Sequence, residues 1–87
     1  MTEKSFERRA QYAKRNYPSG TRIRLLSMSD PIAPVPDGTT GTVDLVDDAG
    51  QIHMKWDNGR TLALIPGEDS FEVLSRPRPQ RKAGDAR

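Results

Sequence analysis

Residues 51–65 read QIHMKWDNGRTLALI, two apolar-alternating runs joined at Asp57-Asn58-Gly59. In the first run Ile52, Met54 and Trp56 share one face, and Gln51, His53, Lys55 and Asp57 share the other. A period of two is that of a half-buried strand. Asn-Gly supplies two residues that tolerate positive φ, as a tight two-residue hairpin requires. The stretch therefore predicts a strand over 51–57, a hairpin turn, and a returning strand over 60–65. In the return, Leu62-Ala63-Leu64-Ile65 is apolar on both faces. That predicts cover on both sides, the interior on one and an N-terminal helix on the other.

Working outward, the same period recurs. Residues 21–28 predict a first strand with Ile23 and Leu25 inward and Arg22 and Arg24 outward. The segment SDPIAPVPDG, 29–38, holds three prolines, which forbid a central strand and favour an extended, semi-rigid loop. Asp30-Pro31 starts a turn there. A second strand is expected over 42–46, with Val43 and Leu45 on one face. Turns follow at 47–50 and 66–69, and a fifth strand over 71–74 has Phe71 and Val73 inward. Five short strands with one long first loop predict a mainly β fold, a small five-stranded SH3-like barrel over 18–75. Ile23, Leu25, Val43, Leu45, Ile52, Met54, Trp56, Leu62, Leu64, Phe71 and Val73 are expected to fill it.

Ahead of the barrel, Phe6, Ala10, Ala13 and Tyr17 recur at helical spacing and predict an N-terminal α-helix within 1–17. Thr2 caps its start, Lys14 and Arg15 suit its negative end, and Asn16 and Pro18 stop it. The stripe is thin, so the helix needs a surface: the barrel, a second copy of the chain, or a partner. Beyond the barrel, RPRPQRKAGDAR at 76–87 has too little apolar surface to pack and is expected to be a disordered basic tail.

The chain has 87 residues, which favours one domain with a small core. A domain of this size buries only ~60% of its unfolded surface and has about 5 kcal/mol of stability at most. It contains no cysteine, which removes disulfides and thiolate metal sites and suits a reducing cytoplasm. The start, MTEKSFERRAQ, is no signal peptide, and no stretch reaches the ~20 apolar residues of a membrane span. A cytoplasmic protein without membrane contact is expected.

The net charge of +2 hides an asymmetry. Residues 1–20 carry five basic side chains (Lys4, Arg8, Arg9, Lys14, Arg15) against two acidic ones. Residues 76–87 carry five (Arg76, Arg78, Arg81, Lys82, Arg87) against one. The middle, 21–75, carries four basic and nine acidic side chains. An acidic body with basic ends can use those ends as electrostatic arms for a polyanion, or merely as solvated tails.

Asp30-Pro31, Gly38, Gly41, Val43, Asp47, Gly50, Trp56-Asp57-Asn58-Gly59, Leu62 and Gly67 together form a recognisable combination. Over residues 17–71 the chain resembles domain of unknown function family 4314. The resemblance implies an SH3-like domain found on bacterial mobile elements and phages. It implies no activity, because the family has none assigned. The helix and the tail lie outside it.

The chemistry-bearing side chains do not assemble into a catalytic pattern. His53 is the single histidine and is expected on the outward face of its strand. Nucleophilic catalysis needs a base beside a hydroxyl or thiol, and no glycine-framed nucleophile is present. Asp47 and Asp48 adjoin, but turn neighbours point apart, and with His53 they lack the ligand ladder of a calcium loop. No catalytic residue, metal or cofactor is expected, and the protein reads as a non-enzymatic binding module.

Two partner classes fit. Nucleic acid would be held by Lys4, Arg8, Arg9, Lys14, Arg15, Arg22, Arg24, Arg76, Arg78, Arg81 and Lys82, with steep salt dependence. Alternatively, the acidic body and a proline loop of Asp30, Pro31, Ile32, Pro34, Val35 and Pro36 would dock on a host or mobile-element protein, as an adaptor or an inhibitor of a host enzyme. Trp56 lies on the inward phase, which favours packing over a stacking groove, and Arg22 and Arg24 have Glu72 as a neighbour to pair with. The helix stripe also offers a face for a homodimer.

Overall fold

The structure is a computed structural model and describes residues 3–30 and 32–77, with side chains from residue 7 onward. Lys4 and Phe6 as side chains, Pro31, and the tail from Arg78 lie outside the described residues.

The helical spacing is realised as α1, Glu3–Asn16. Asn16 Nδ2 donates to the Tyr12 carbonyl, and the Tyr17 amide to that of Ala13. Pro18 has no N–H with which to continue the helix. The stripe is covered by the chain itself: Ala10 and Ala13 are 5% and 2% exposed. Their small side chains let the helix lie on the turn at Gly50, where an added Cβ would stand 3.6 Å from the Ala10 backbone.

Four strands follow: β1 Arg22–Ser27, β2 Thr40–Val46, β3 Ile52–Trp56 and β4 Ser70–Ser75. They form one antiparallel sheet in the order β3-β2-β1-β4. The five-stranded barrel is therefore corrected to a four-stranded sheet that does not close. The missing member is the strand expected over 60–65. Beyond the turn, where the Arg60 carbonyl accepts the Trp56 amide, only Leu64 makes backbone bonds to β3, exchanging two with Ile52 at 2.9 and 2.8 Å. The Leu62 carbonyl instead accepts the Trp56 indole N–H at 2.8 Å, so the segment meets β3 through a side chain where a ladder bond would lie.

The hairpin turn also differs from expectation. Gly59 has φ +92°, but no non-glycine among the described residues has positive φ, so Asn58 does not. The Gly59 amide donates to the Trp56 carbonyl, and the Trp56 amide to that of Arg60. This is a three-residue loop closed by a glycine bulge rather than a two-residue turn.

A second bulge corrects Leu45. Val43 pairs with Met54 and Leu45 with His53, so Asp44 is an extra residue on β2. The insertion turns Leu45 outward, 48% exposed, and brings Val46 against the core. Leu26 and Leu74 are exposed because they alternate with the inward Leu25 and Val73.

The core consists of Ile23, Leu25, Val35, Val43, Ile52, Met54, Trp56 and Leu64. Tyr17, Met28, Val46, Leu62, Phe71 and Val73 pack partly buried around it. Val35 comes from the proline loop and is 1% exposed, so the loop is pinned down as a cover over the sheet. Within the loop expected to dock on a partner, Val35 is thus a buried anchor, whereas Ile32 is exposed.

Candidate binding groove

The groove lies where α1 meets the two turns beneath it. Arg8, Arg9, Tyr12, Ala13 and Tyr17 form one wall. Ala49, Gly50 and Gln51 make the floor, and Ile65, Pro66, Gly67 and Glu68 the opposite wall. The groove is open to solvent and has a volume of about 820 Å³, with most of the lining apolar.

Each wall is held by identifiable contacts. Asp47 organises the floor: its Oδ1 accepts the amides of Ala49 and Gln51, both at 2.9 Å, and its Oδ2 lies 2.8 Å from His53 Nε2. The contact to His53 and the backbone amides hold the Asp47 carboxyl below its ordinary range. The turn at 65–69 is fixed by Asp69, a carboxylate only 7% exposed. Its Oδ2 accepts the Ile65 amide at 2.8 Å, and its Oδ1 accepts the Ser29 amide and hydroxyl at 2.8 and 3.1 Å. Nothing in the alternation distinguishes Asp69 from its acidic neighbours, so sequence reasoning missed it. Tyr17 is set edge-on against Phe71 with centroids 5.4 Å apart, and burial raises its phenol pKa.

The basic residues expected to hold nucleic acid divide sharply. Lys14 Nζ pairs with Asp48 at 2.7 Å, and Arg24 with Glu72 at 2.6 Å. Arg22 grips Asp57 through two bonds of 2.9 and 2.8 Å and also donates to Thr42. Arg76 Nε caps the α1 carboxyl end at the Asn16 carbonyl, 2.8 Å away, so the first residue of the expected tail is part of the body. Arg8, Arg9 and Arg15 pair with no carboxylate among the described residues. Two of these three stand at the groove.

Tyr12 and the 65–68 wall were absent from the sequence-based site. A signal existed for Tyr12: it lies off the apolar stripe, one turn after Arg8, and is 58% exposed. The 65–68 wall had none, because its position depends on a carboxylate forty residues from its partner Ser29.

The proline loop is ordered from within. Asp30 Oδ1 accepts the amides of Ile32 and Ala33 at 2.8 and 3.2 Å, which keeps its carboxyl below the usual range. Arg60 donates to the Ala33 carbonyl. Ile32 is left 89% exposed at the tip, flanked by exposed Pro34 and Pro36.

Trp56 is 3% exposed and packs across Gly41, so it lines no groove. His53 stands on the outward face as expected, half-buried against Asp47. No three His, Cys, Asp or Glu side chains gather as a metal site among the described residues. No helix among them is long and apolar enough to cross a membrane.

Fold and groove together define a small, mainly β domain whose helix α1 lies across a turn of a four-stranded antiparallel sheet. The chain belongs to the family described as a domain of unknown function, DUF4314, whose model matches residues 7–74. The match takes in Arg8, Arg9 and Tyr12 and so reaches beyond the 17–71 resemblance into the helix. Neither a curated protein nor a solved structure matches the chain.

Proposed function

We propose that the protein is a non-catalytic binding module, an open variant of an SH3-like barrel, that takes a short segment of a partner protein into the groove beneath α1. One observation carries this reading. Arg8 and Arg9, without carboxylate partners among the described residues, stand over a largely apolar cleft of about 820 Å³. Such a site suits an apolar side chain flanked by carboxylates, since the arginines can meet the acids while the floor takes the apolar group.

The preference for polypeptide over nucleic acid rests on how the other cations are used. Lys14, Arg22, Arg24 and Arg76 are engaged within the chain, which removes four of the described members of the basic surface. His53 and Asp47 serve the floor turn, which supports a structural role for both.

Display of random peptides on the immobilised full-length protein is the test. Peptides with an apolar residue beside Asp or Glu should be enriched, and the double variant Arg8→Glu/Arg9→Glu should lose them at least tenfold. Enrichment that survives the double variant would refute the reading. Salt-sensitive oligonucleotide binding with no peptide enrichment would replace it with the nucleic-acid alternative.

A further inference from the structure

The chain itself carries a segment of the kind the groove suits. Ile32 projects 89% exposed from the proline loop. Asp30 and Asp37 flank it, and the hydrogen bonds to the Asp30 carboxylate keep it ionised. The loop is already ordered by Asp30, by Arg60 on the Ala33 carbonyl and by buried Val35. Little conformational freedom is therefore left to lose on docking. Arg8 and Arg9 at the groove carry the complementary charge, and Tyr12 and Ile65 the complementary apolar surface.

We infer that Ile32 of one copy inserts into the groove of a second copy, with its flanking aspartates against Arg8 and Arg9. The placement of the two features suits exchange between two copies. Ser29 and Asp30, at the foot of the loop, line a smaller cavity of about 340 Å³ together with Ile65 and Glu68. Ile65 and Glu68 also form the groove wall, so knob and groove adjoin the same turn. Each copy offers one knob and one groove, and mutual insertion about a two-fold axis would be the self-complementary arrangement of a symmetric dimer. The inference rests on the groove being a site for apolar and acidic segments, and it adds that an uncomplexed copy occupies it.

Sedimentation equilibrium of the full chain over a concentration series tests it. The wild-type mass should rise towards twice that of the monomer, and less so at high salt, which screens Arg–Asp attraction. Ile32→Ser, at a position too exposed to matter for folding, should weaken association about tenfold, the scale of one buried aliphatic side chain. Arg8→Glu/Arg9→Glu should weaken it as well. Mixing the two variants restores one intact knob and groove, so the mixture should associate more strongly than either alone. A wild type that stays monomeric, an Ile32→Ser variant that associates unchanged, or a mixture no better than its parts would each overturn the inference. Display separates the two ideas. Peptide enrichment lost in Arg8→Glu/Arg9→Glu beside a monomeric wild type refutes self-docking and leaves the groove reading standing. If enrichment also fails, both fall.

Discussion

The Trp56–Asp57 corner and the groove beneath α1 are built from the same kinds of residue, arginine, aromatic ring and glycine turn, and they end in opposite states. At the corner every named polar group has a partner. Arg22 holds Asp57 through two bonds, Asp57 also accepts the Thr40 hydroxyl at 2.6 Å, and the indole donates to Leu62. At the groove, Arg8 and Arg9 meet no carboxylate among the described residues and Tyr12 is 58% exposed. Residue type therefore does not separate scaffold from site in this chain, and the state of each group's partner does. The corner is closed on itself, and the groove keeps polar groups without a carboxylate partner among the described residues.

If that division is right, damage to the corner should unfold the protein. Trp56→Ala removes the largest core side chain and orphans the Leu62 carbonyl. A loss of about 4 kcal/mol is expected for such a truncation. For a domain of this size that is most of the stability, and urea denaturation should show a chain largely unfolded before denaturant is added. Gly41→Ala comes next. Its Cβ would fall 2.7 Å from Trp56 Cε3 and 2.9 Å from the Trp56 Cα, and the backbone atom cannot swing aside. A loss of about 3 kcal/mol is expected by the same measurement, and wild-type stability there would show that the corner is looser than described.

A third variant probes the link between corner-like packing and the groove. Asp69→Ala leaves the Ile65 and Ser29 amides without their acceptor. A loss of about 2 kcal/mol is expected for such orphaned donors. Because Asp69 also fixes the groove wall, peptide binding should weaken even under conditions where the variant remains folded. Full binding in a folded Asp69→Ala protein would show that the wall is held by something else.

Trp56, α1 and Leu45 mark what a reader of the sequence can and cannot see. Trp56 was legible, because strict alternation from Ile52 announces its inward phase. Helix α1 was legible too, since Ala10 and Ala13 fall on one stripe and Asn16 and Pro18 end it. Leu45 was not: one inserted residue at Asp44 reverses every later side chain, and a bulge leaves no mark on an alternating pattern. The strand expected at 60–65 failed for a related reason, because a carbonyl drawn to an indole is a tertiary event. For the site, Arg8 and Arg9 were named among eleven basic candidates, but their distinction from Arg22 or Arg24 lies in the partners that folding brings up. Asp57 and Glu72 are 35 and 48 residues away from those arginines.

Acid sharpens the comparison more gently. The bonds from Arg22 and from the Thr40 hydroxyl hold the Asp57 carboxyl well below its ordinary range. A depressed carboxyl contributes stability that is present above its unfolded pKa, about 4, and that is lost as pH falls towards the folded value. Asp47 and Asp30 are depressed in the same direction. The urea midpoint should therefore hold steady from neutrality down to mild acid and then fall. Asp57→Asn should make that fall shallower, and an unchanged slope would remove the corner's claim to be the better-satisfied region.

The smallest effect on stability is expected where the effect on binding is largest. Arg8→Ala/Arg9→Ala removes two exposed side chains that pair with no described carboxylate. Exposed substitutions of this kind change stability by less than about 0.5 kcal/mol, so the urea midpoint should not move measurably. A groove that needs its cations for recognition should nonetheless lose its acidic peptides. If the double variant were instead clearly destabilised, Arg8 and Arg9 would be doing for the helix what Arg22 does for the corner, and the two regions would no longer differ in kind. A stable protein that has lost binding is the outcome that keeps them apart, because only a group with no structural partner can be removed without cost to the fold.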